Sequence, residues 1–320
     1  NTRGKTMKKV LFATTALVAF AGAASADVAV SGFAELGVFD NGNGDMQFFN
    51  DIDVTFGMSG ETDGGLSFGA SVDLDEISDT TVNAATDNNS RGGIAAFISG
   101  AFGTVTLGDT DGALDWAMTE TGIGGALADD HTEHAGYSGN GLEGGDGQVL
   151  RYDYSMDSFG FAVSLTQDND GSDATTDDDT LEIGVRYSME MGAASVALGL
   201  GLMEAGTQTE AGVSGDTKAI GVSASVTAGA ITGIINYTDG EALGVDADHL
   251  GLGVGYTMDA LTVGFNWGEV DVAGVTADGY GLAVNYDLGG GAVVQFGYGD
   301  GTDLLGAEAD TMSLGLALSF

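Results

Sequence analysis

Residues 250–258 read LGLGVGYTM, and this stretch decides the fold. Large apolar side chains occupy every second position, and glycine or threonine fills the positions between them. A period of two is that of a β-strand, in which successive side chains point to opposite faces. The same alternation runs through 46–59 and 66–75 and continues toward the end of the chain. The sequence therefore predicts an all-β protein.

Applying this period along the chain predicts sixteen strands. Their predicted spans are 28–39, 46–58, 66–76, 93–102, 104–109, 148–156, 159–167, 180–189, 193–203, 218–227, 230–238, 249–258, 261–268, 279–288, 291–299 and 310–320. Most have about the 9–11 residues with which a tilted strand crosses a bilayer.

The predicted connections alternate in length. Short turns are expected at 59–65, 157–158, 190–192, 228–229, 259–260 and 289–290. Long, acidic, glycine-rich loops are expected at 77–92, 110–147, 168–179, 204–217, 239–248, 269–278 and 300–309. Short periplasmic turns and long outer loops are typical of an outer-membrane barrel. We therefore expect one domain over 27–320, a 16-stranded antiparallel transmembrane β-barrel with both termini on the periplasmic side.

Composition narrows the function classes. The 320 residues include 48 Asp and Glu, 8 Lys and Arg and no Cys, and the formal net charge is −40. This charge excludes a basic nucleic-acid-binding face. The lack of cysteine excludes disulfides, zinc–thiolate sites and cysteine nucleophiles. Hydrophobic residues still make up 43% of the chain. The strong acidity and the high hydrophobic content together fit a barrel whose apolar face contacts lipid and whose polar face lines water.

Residues 7–26 have the features of a signal peptide. Lys8 and Lys9 precede an apolar run over 10–20, and an A-x-A cleavage pattern ends at Ala26. The run is too short for a transmembrane helix. Residues 1–6 are interpreted as an upstream remnant. Because four of the eight basic residues and no acidic ones lie in 1–26, cleavage would change the net charge from −40 to −44. Export to the outer membrane is therefore expected.

Eight aromatic residues share the apolar parity and fall toward the two ends of the strands. They are Tyr154, Tyr187, Tyr237, Tyr256, Trp267, Tyr280, Tyr286 and Tyr298. Two levels of amphipathic rings are expected at the two membrane interfaces, so these residues are predicted to form an aromatic girdle. The alternative is the general preference of tyrosine for strands.

Four segments carry a resemblance to a known family: 27–39, the hairpin 58–70, the strand pair 100–109 and the C-terminal run 312–320. With them the chain resembles the general porins of Gram-negative bacteria, most closely the alphaproteobacterial type. The resemblance implies a homotrimer of water-filled barrels that pass ions and small hydrophilic solutes, with the third long loop folded inward. It also implies that the terminal Phe320 belongs to an outer-membrane assembly signal. Asp109 stands where many members of the family have Arg.

The candidate pore constriction combines the loop 110–147 with a few basic residues. The predicted acidic side consists of Asp109, Asp111, Asp115, Glu120, Asp129, Asp130 and Glu133, and the predicted basic wall of Arg91, Arg151, Arg186 and Lys218. Opposed charges across a narrow passage would create a field that orients solutes, and the acidic excess predicts cation selectivity. Two alternatives remain open: salt bridges that pin the loop to the wall, and a solvated outer loop.

No cofactor, defined metal site or catalytic residue is predicted. Acidic clusters at 73–75, 129–130 and 177–179 could bind Ca²⁺ weakly and bridge anionic lipopolysaccharide. The segment H-T-E-H at 131–134 does not have the H-E-x-x-H zinc spacing. A secreted calcium-binding β-solenoid is the main alternative, but its nonapeptide repeats are missing. An enzyme built on a barrel is disfavoured because no G-x-S-x-G motif is present.

Overall fold

The computed structural model describes residues 27–40, 42, 46–75, 93–127, 134–137, 139, 148–167, 178–210 and 213–320. The predicted upstream remnant and signal peptide, together with Arg91, Asp129, Asp130 and Glu133, lie outside the described residues. In the described part of the chain, no helix is long and apolar enough to cross a membrane.

Sixteen antiparallel strands form one closed barrel, as predicted. They are β1 (Asp27–Asp40), β2 (Gln47–Glu61), β3 (Ser67–Asp75), β4 (Ile94–Gly100), β5 (Gly103–Asp109), β6 (Gln148–Met156), β7 (Phe159–Thr166), β8 (Thr180–Met191), β9 (Ala194–Glu210), β10 (Val213–Ala228), β11 (Ile231–Ala242), β12 (Val245–Met258), β13 (Leu261–Val272), β14 (Val275–Gly289), β15 (Ala292–Thr302) and β16 (Glu308–Ser319). Strands β1 and β16 close the barrel in a register that begins at Phe33 opposite Ser319. A short helix, α1 (Ala113–Ala117), follows β5.

The two faces of the wall differ as the alternation predicts. On β12, Leu252 and Val254 are exposed on the outer face, whereas His249 and Gly251 are buried on the inner face. Small and polar residues on the inner face cannot build the packed core of a soluble sandwich. The closed sheet therefore has an apolar outside and a polar inside, the reverse of a soluble protein. A closed barrel is also not a solenoid, so the calcium-binding solenoid alternative is not supported.

Four predictions of long loops are wrong, those at 204–217, 239–248, 269–278 and 300–309. Strands β9 and β10 extend to Glu210 and from Val213, and β15 and β16 leave only residues 303–307 between them. Leu243-Gly244 and Ala273-Gly274 are two-residue turns with positive φ at both positions, as in type I′ hairpins. The acidic, glycine-rich composition of these segments, which favours loops, belongs here to strand ends that continue beyond the apolar band of the wall.

The wall is not equally high all the way round. Strands β3 to β7 have 7–9 residues each. Strands β9 to β16 have 11–17 residues. One sector of the barrel is therefore markedly lower than the opposite one.

Candidate pore constriction

The segment after β5 folds into the barrel and lies against glycines of the inner wall. The main-chain oxygen of Ala113 sits where a Cβ at Gly184 would be, and that of Thr121 does the same at Gly253. Ile123 covers Gly264 in the same way. Only glycine lets two backbones approach this closely. The predicted inward fold of the loop at 110–147 is confirmed for the described residues of that loop.

The loop follows most of the barrel circumference. Ala113 lies beside Ser164 on β7, where the described path along the wall begins. At the other end, the side chain of Leu127 packs against Gly37 on β1 and Gly315 on β16. The loop therefore narrows the lumen from within over many strands.

Polar side chains of the wall bind the main chain of the loop. Ser164 Oγ accepts a hydrogen bond from the Ala113 N–H at 2.8 Å. Glu182 Oε2 accepts one from the Leu114 N–H, also at 2.8 Å. Both side chains are almost completely buried, at 1% exposure. Hydrogen bonds in such surroundings are costly to leave unmade, so these wall residues fix the start of the loop.

Two asparagines do the same further along. Asn285 accepts from the Gly125 N–H at 2.9 Å and donates through Nδ2 to the Gly125 oxygen at 2.8 Å. Asn236 Nδ2 donates to the oxygens of Thr119, at 3.2 Å, and Gly139, at 3.0 Å. Asn236 therefore joins two separate parts of the loop to the wall.

Arg151 makes the charged contact between wall and loop. Its Nη1 donates to the main-chain oxygen of Asp111 at 2.8 Å and lies 3.7 Å from the Asp111 carboxylate. Its Nε lies 3.4 Å from Asp153 on the same strand. Burial raises the pKa of Asp111, and the charge of Arg151 opposes that rise. The arginine is thus a clamp on the loop, the salt-bridge alternative left open by the sequence.

Arg186 contacts the loop through an aromatic ring. Its guanidinium carbon lies 3.7 Å from the centre of the Trp116 ring, in the geometry of a cation–π interaction. Trp116 belongs to α1, so helix and strand are joined at this point. Arg151 and Arg186 are therefore on the lumen side, as predicted, and both face the loop.

The prediction that Lys218 belongs to the basic wall of the pore is wrong. Lys218 shares the outer face of β10 with Ile220 and Val222, which are exposed. Its Nζ lies 2.9 Å from Glu241 on the neighbouring strand. The side chain is therefore outside the barrel and does not belong to a basic wall of the pore.

The predicted acidic residues are placed differently from one another. Asp109 accepts a hydrogen bond from the Gly93 N–H at 2.8 Å. Glu120 accepts one from the Tyr137 hydroxyl at 3.1 Å, within the loop. Asp115 lies in the first turn of α1. Glu182 was missed by the sequence analysis, and its only signal there was the inward parity of a lone carboxylate.

Comparison with known proteins agrees with this architecture. The family model for Gram-negative porins matches residues 13–303. The chain belongs to the Gram-negative porin family. A porin of Rhodobacter capsulatus is 32% identical over 224 residues, which cover 67% of this chain and 68% of that protein. These matches identify an alphaproteobacterial-type porin, an outer-membrane channel rather than an enzyme.

Solved porin structures share the fold. A porin structure refined at 1.8 Å resolution is 27% identical, covers 92% of this chain and 100% of its own, and has a TM-score of 0.66. The anion-selective porin from Comamonas acidovorans has a TM-score of 0.63 at 16% identity, again over 92% and 100% of the two chains. At that identity the second match shows the fold alone.

The predicted aromatic girdle of this porin lies on the outer face. Tyr280 stacks with Phe265, with ring centres 6.1 Å apart, and lies 6.3 Å from Tyr298. On the strands β6 and β7, the ring centre of Tyr154 lies 6.0 Å from that of Phe161. Their role at the membrane interfaces stays a prediction.

The C-terminus is tied into the barrel closure. The Phe320 N–H donates to the Gly32 oxygen at 2.9 Å, and the Gly32 N–H donates back at 3.3 Å. The contact places the terminal residue at the seam between β1 and β16. Its part in assembly stays a prediction.

No group of three His, Cys, Asp or Glu side chains suited to a metal ion occurs within the described ranges. Of the acidic clusters considered for Ca²⁺, 129–130 lies outside these ranges, as does Asp177. Asp178 accepts a hydrogen bond from the Thr207 N–H at 2.9 Å, and Asp73 accepts one from Thr55 at 3.0 Å. Weak calcium binding stays a prediction.

Proposed function

We propose that this porin is a cation-selective channel for the passive diffusion of ions and small hydrophilic solutes. The observation that carries the proposal is the neutralisation of Arg151 by the loop. Its guanidinium binds Asp111 and lies beside Asp153, so one of the few basic groups of the lumen is already paired. Lys218 is outside the barrel and paired with Glu241.

Carboxylates outnumber basic groups on the described inner wall. Glu35, Asp51 and Asp53 lie on inward positions of β1 and β2 in addition to Glu182, whereas the inward basic residues are Arg151 and Arg186. Rings of acidic side chains concentrate cations and repel anions in a narrow, water-filled passage. The fold does not decide selectivity, because a porin that is anion-selective has the same architecture. The charge that lines the passage has to decide it.

The test is the reversal potential of the purified protein in a planar bilayer under a KCl gradient. We expect the sign that corresponds to preferential K⁺ permeation, weaker at high salt because screening shortens the reach of the wall charges. A potential of the opposite sign would contradict cation selectivity. Absence of any conductance from folded protein would contradict an open diffusion channel.

We further propose that the porin assembles as a homotrimer through the low sector of the wall. A seven-residue strand tilted by about 40° rises roughly 18 Å, which is less than the apolar band of about 25 Å. Contact with neighbouring copies avoids exposing this sector to a bilayer that it does not match. Native mass spectrometry in detergent should show three chains. A glutamate in place of Ile98 on β4, which is exposed, should weaken the trimer more than one in place of Ile235 on the tall side.

Two further parts of the proposal concern export and lipid. Cleavage after Ala26 should leave Asp27 as the first residue of the protein isolated from outer membranes, which intact-mass measurement checks. Lipopolysaccharide, bridged by divalent cations to the acidic outer surface, is the proposed lipid partner. Its retention during purification should fall when a chelator is present.

A further inference from the structure

A recess lies on the inner wall between the constriction loop and the short turns that follow β8 and β10. Its volume is about 290 Å³. The polar residues that line it are Ser158, Ser188, Glu190, Ser195, Ser225 and Thr227. Small-molecule sites usually have volumes of roughly 300–1,000 Å³, so this recess is at the small end of the range. It suits a solute of about the size of a monosaccharide.

The strand register brings the lining side chains together on three neighbouring strands. Glu190 on β8 is directly opposite Ser195 on β9. One inward position closer to the loop, Ser188 on β8 and Ser225 on β10 are both opposite Ala197 on β9. Neighbouring strands are about 4.7–4.9 Å apart, and alternate residues of one strand are about 6.6 Å apart. The hydroxyl groups therefore form a compact grid on one face.

The docked loop bounds the recess on the side of the outer mouth. The Ala117 oxygen sits where a Cβ at Gly199 would be. The Thr119 N–H donates a hydrogen bond to Ser223 Oγ at 3.0 Å. Gly199 and Ser223 are opposite each other, and each is two residues from a lining residue of its own strand. A solute that enters from outside and passes the loop meets these hydroxyl groups next.

The charges beside the recess are of opposite sign. Arg186 and Glu190 lie on the same face of β8, one on each side of Ser188. The Arg186 guanidinium is stacked on the ring of Trp116. Because the two charges offset each other, the recess favours neither cations nor anions. A hydroxyl both donates and accepts hydrogen bonds, so the partner that uses such a lining fully is an uncharged solute with several hydroxyl groups.

We propose that this recess is a weak binding subsite for uncharged, polyhydroxylated solutes of monosaccharide size. The proposal rests on the proposed diffusion channel, because the recess is reached through the lumen. The hydroxyls of Ser188, Ser195 and Ser225 replace water around the solute, and the Glu190 carboxylate accepts hydrogen bonds from it. Weak binding is compatible with transport, since a solute has to leave the site as readily as it enters.

The experiment uses the full-length porin refolded in dodecylphosphocholine, a detergent without a sugar headgroup. Binding of D-glucose is titrated by saturation-transfer difference NMR. Ser188→Ala/Ser225→Ala removes two hydroxyls of the recess. Ser67→Ala/Ser99→Ala is the matched control, because these serines are opposite each other on inward positions of β3 and β4, outside the recess. We expect saturable binding to the wild type and the control, and a dissociation constant at least about threefold higher in the first variant.

A second comparison needs no variant. Sorbitol should displace D-glucose from the wild type, because it also carries a hydroxyl group on each carbon that can reach the lining. Triethylene glycol is of similar size but has hydroxyl groups at its ends alone, so it should not displace D-glucose. This comparison separates recognition of hydroxyl groups from simple filling of a space.

Three outcomes would overturn the subsite: D-glucose binding that does not saturate, equal displacement by sorbitol and triethylene glycol, or equal affinities of the two double variants. Swelling of liposomes that contain the wild type distinguishes this failure from failure of the channel. Liposomes that swell in isosmotic D-glucose and triethylene glycol, without saturable D-glucose binding, contradict the subsite alone. Liposomes that do not swell contradict the diffusion channel itself.

Discussion

The guanidinium of Arg151 on β6 donates to the main-chain oxygen of Asp111 at 2.8 Å, although the two residues are 40 positions apart in the sequence. The same group lies 3.7 Å from the Asp111 carboxylate. One side chain thus holds the main chain of the loop and neutralises the first carboxylate inside it. Arg151 therefore both holds the loop to the wall and pairs a charge inside the barrel.

Replacing Arg151 by Ala should loosen the start of the loop and add net negative charge to the lumen. Loss of charge-assisted hydrogen bonds should weaken docking by about 2 kcal/mol. Single-channel recordings should show more current noise and a stronger cation preference. Lys218→Ala is the control, because Lys218 is outside the barrel. Equal behaviour of the two variants would show that Arg151 does not hold the loop.

Replacing Gly184 by Ala should displace the loop without opening the barrel. The new Cβ would overlap the Ala113 oxygen, a backbone atom that cannot turn aside. Overpacking of this kind costs about 1–3 kcal/mol. We expect an unchanged circular dichroism spectrum with altered conductance. Gly233→Ala, which meets nothing within 4 Å, should match the wild type in both measurements.

Acidification should weaken docking of the loop through His134. Burial lowers the pKa of this histidine to about 4. The hydrogen bond with Asn266 opposes the shift, and the charge of His249 adds to it. Above about pH 6.5 the ring is neutral whether docked or free. As the pH falls from there toward 4, the free segment takes up the proton first. Docking stability is therefore lost over this window, by roughly 2–3 kcal/mol at its lower end.

Channel recordings between pH 7 and 4.5 check this dependence. The current noise of the wild type should increase as the pH falls. The share of this increase that comes from protonation of His134 should be missing in His134→Gln. Carboxylates titrate in both proteins, so the difference between them reports the histidine. Identical pH profiles would contradict the assignment.

Strand existence was predictable because alternation is a local property. Residues 250–258 carry the strand signal in their own sequence, and β12 forms there. The turn Leu243-Gly244 was missed because the residues around it are acidic and glycine-rich, as outer loops are. Strand ends that lie beyond the apolar band of the wall need no apolar outer face. Apolar and polar residues therefore do not alternate in their sequence.

For the candidate site, the sequence could predict only which face of the wall each strand residue occupies, because alternate residues of a strand point to opposite faces. Parity placed Arg151 and Arg186 on the lumen side, and the structure agrees. Parity also places Lys218 with Ile220 on the outer face, so the assignment of Lys218 to the basic wall is wrong. The contacts of Glu182 and Asn285 depend on the path of the loop, which follows from tertiary packing and not from any local pattern.

The most direct test of the account is a disulfide between loop and wall. The chain has no cysteine, so Ala135→Cys with Gly301→Cys introduces the only pair. Their Cβ atoms would be 3.3 Å apart, close to the roughly 3.5–4.5 Å of disulfides. Ala135→Cys with Gly233→Cys, on the outer face, is the control. We expect the first pair to cross-link on mild oxidation and the control pair to stay reduced. Full labelling of both thiols by maleimide in the first pair, after oxidation, would contradict a loop folded inside the barrel.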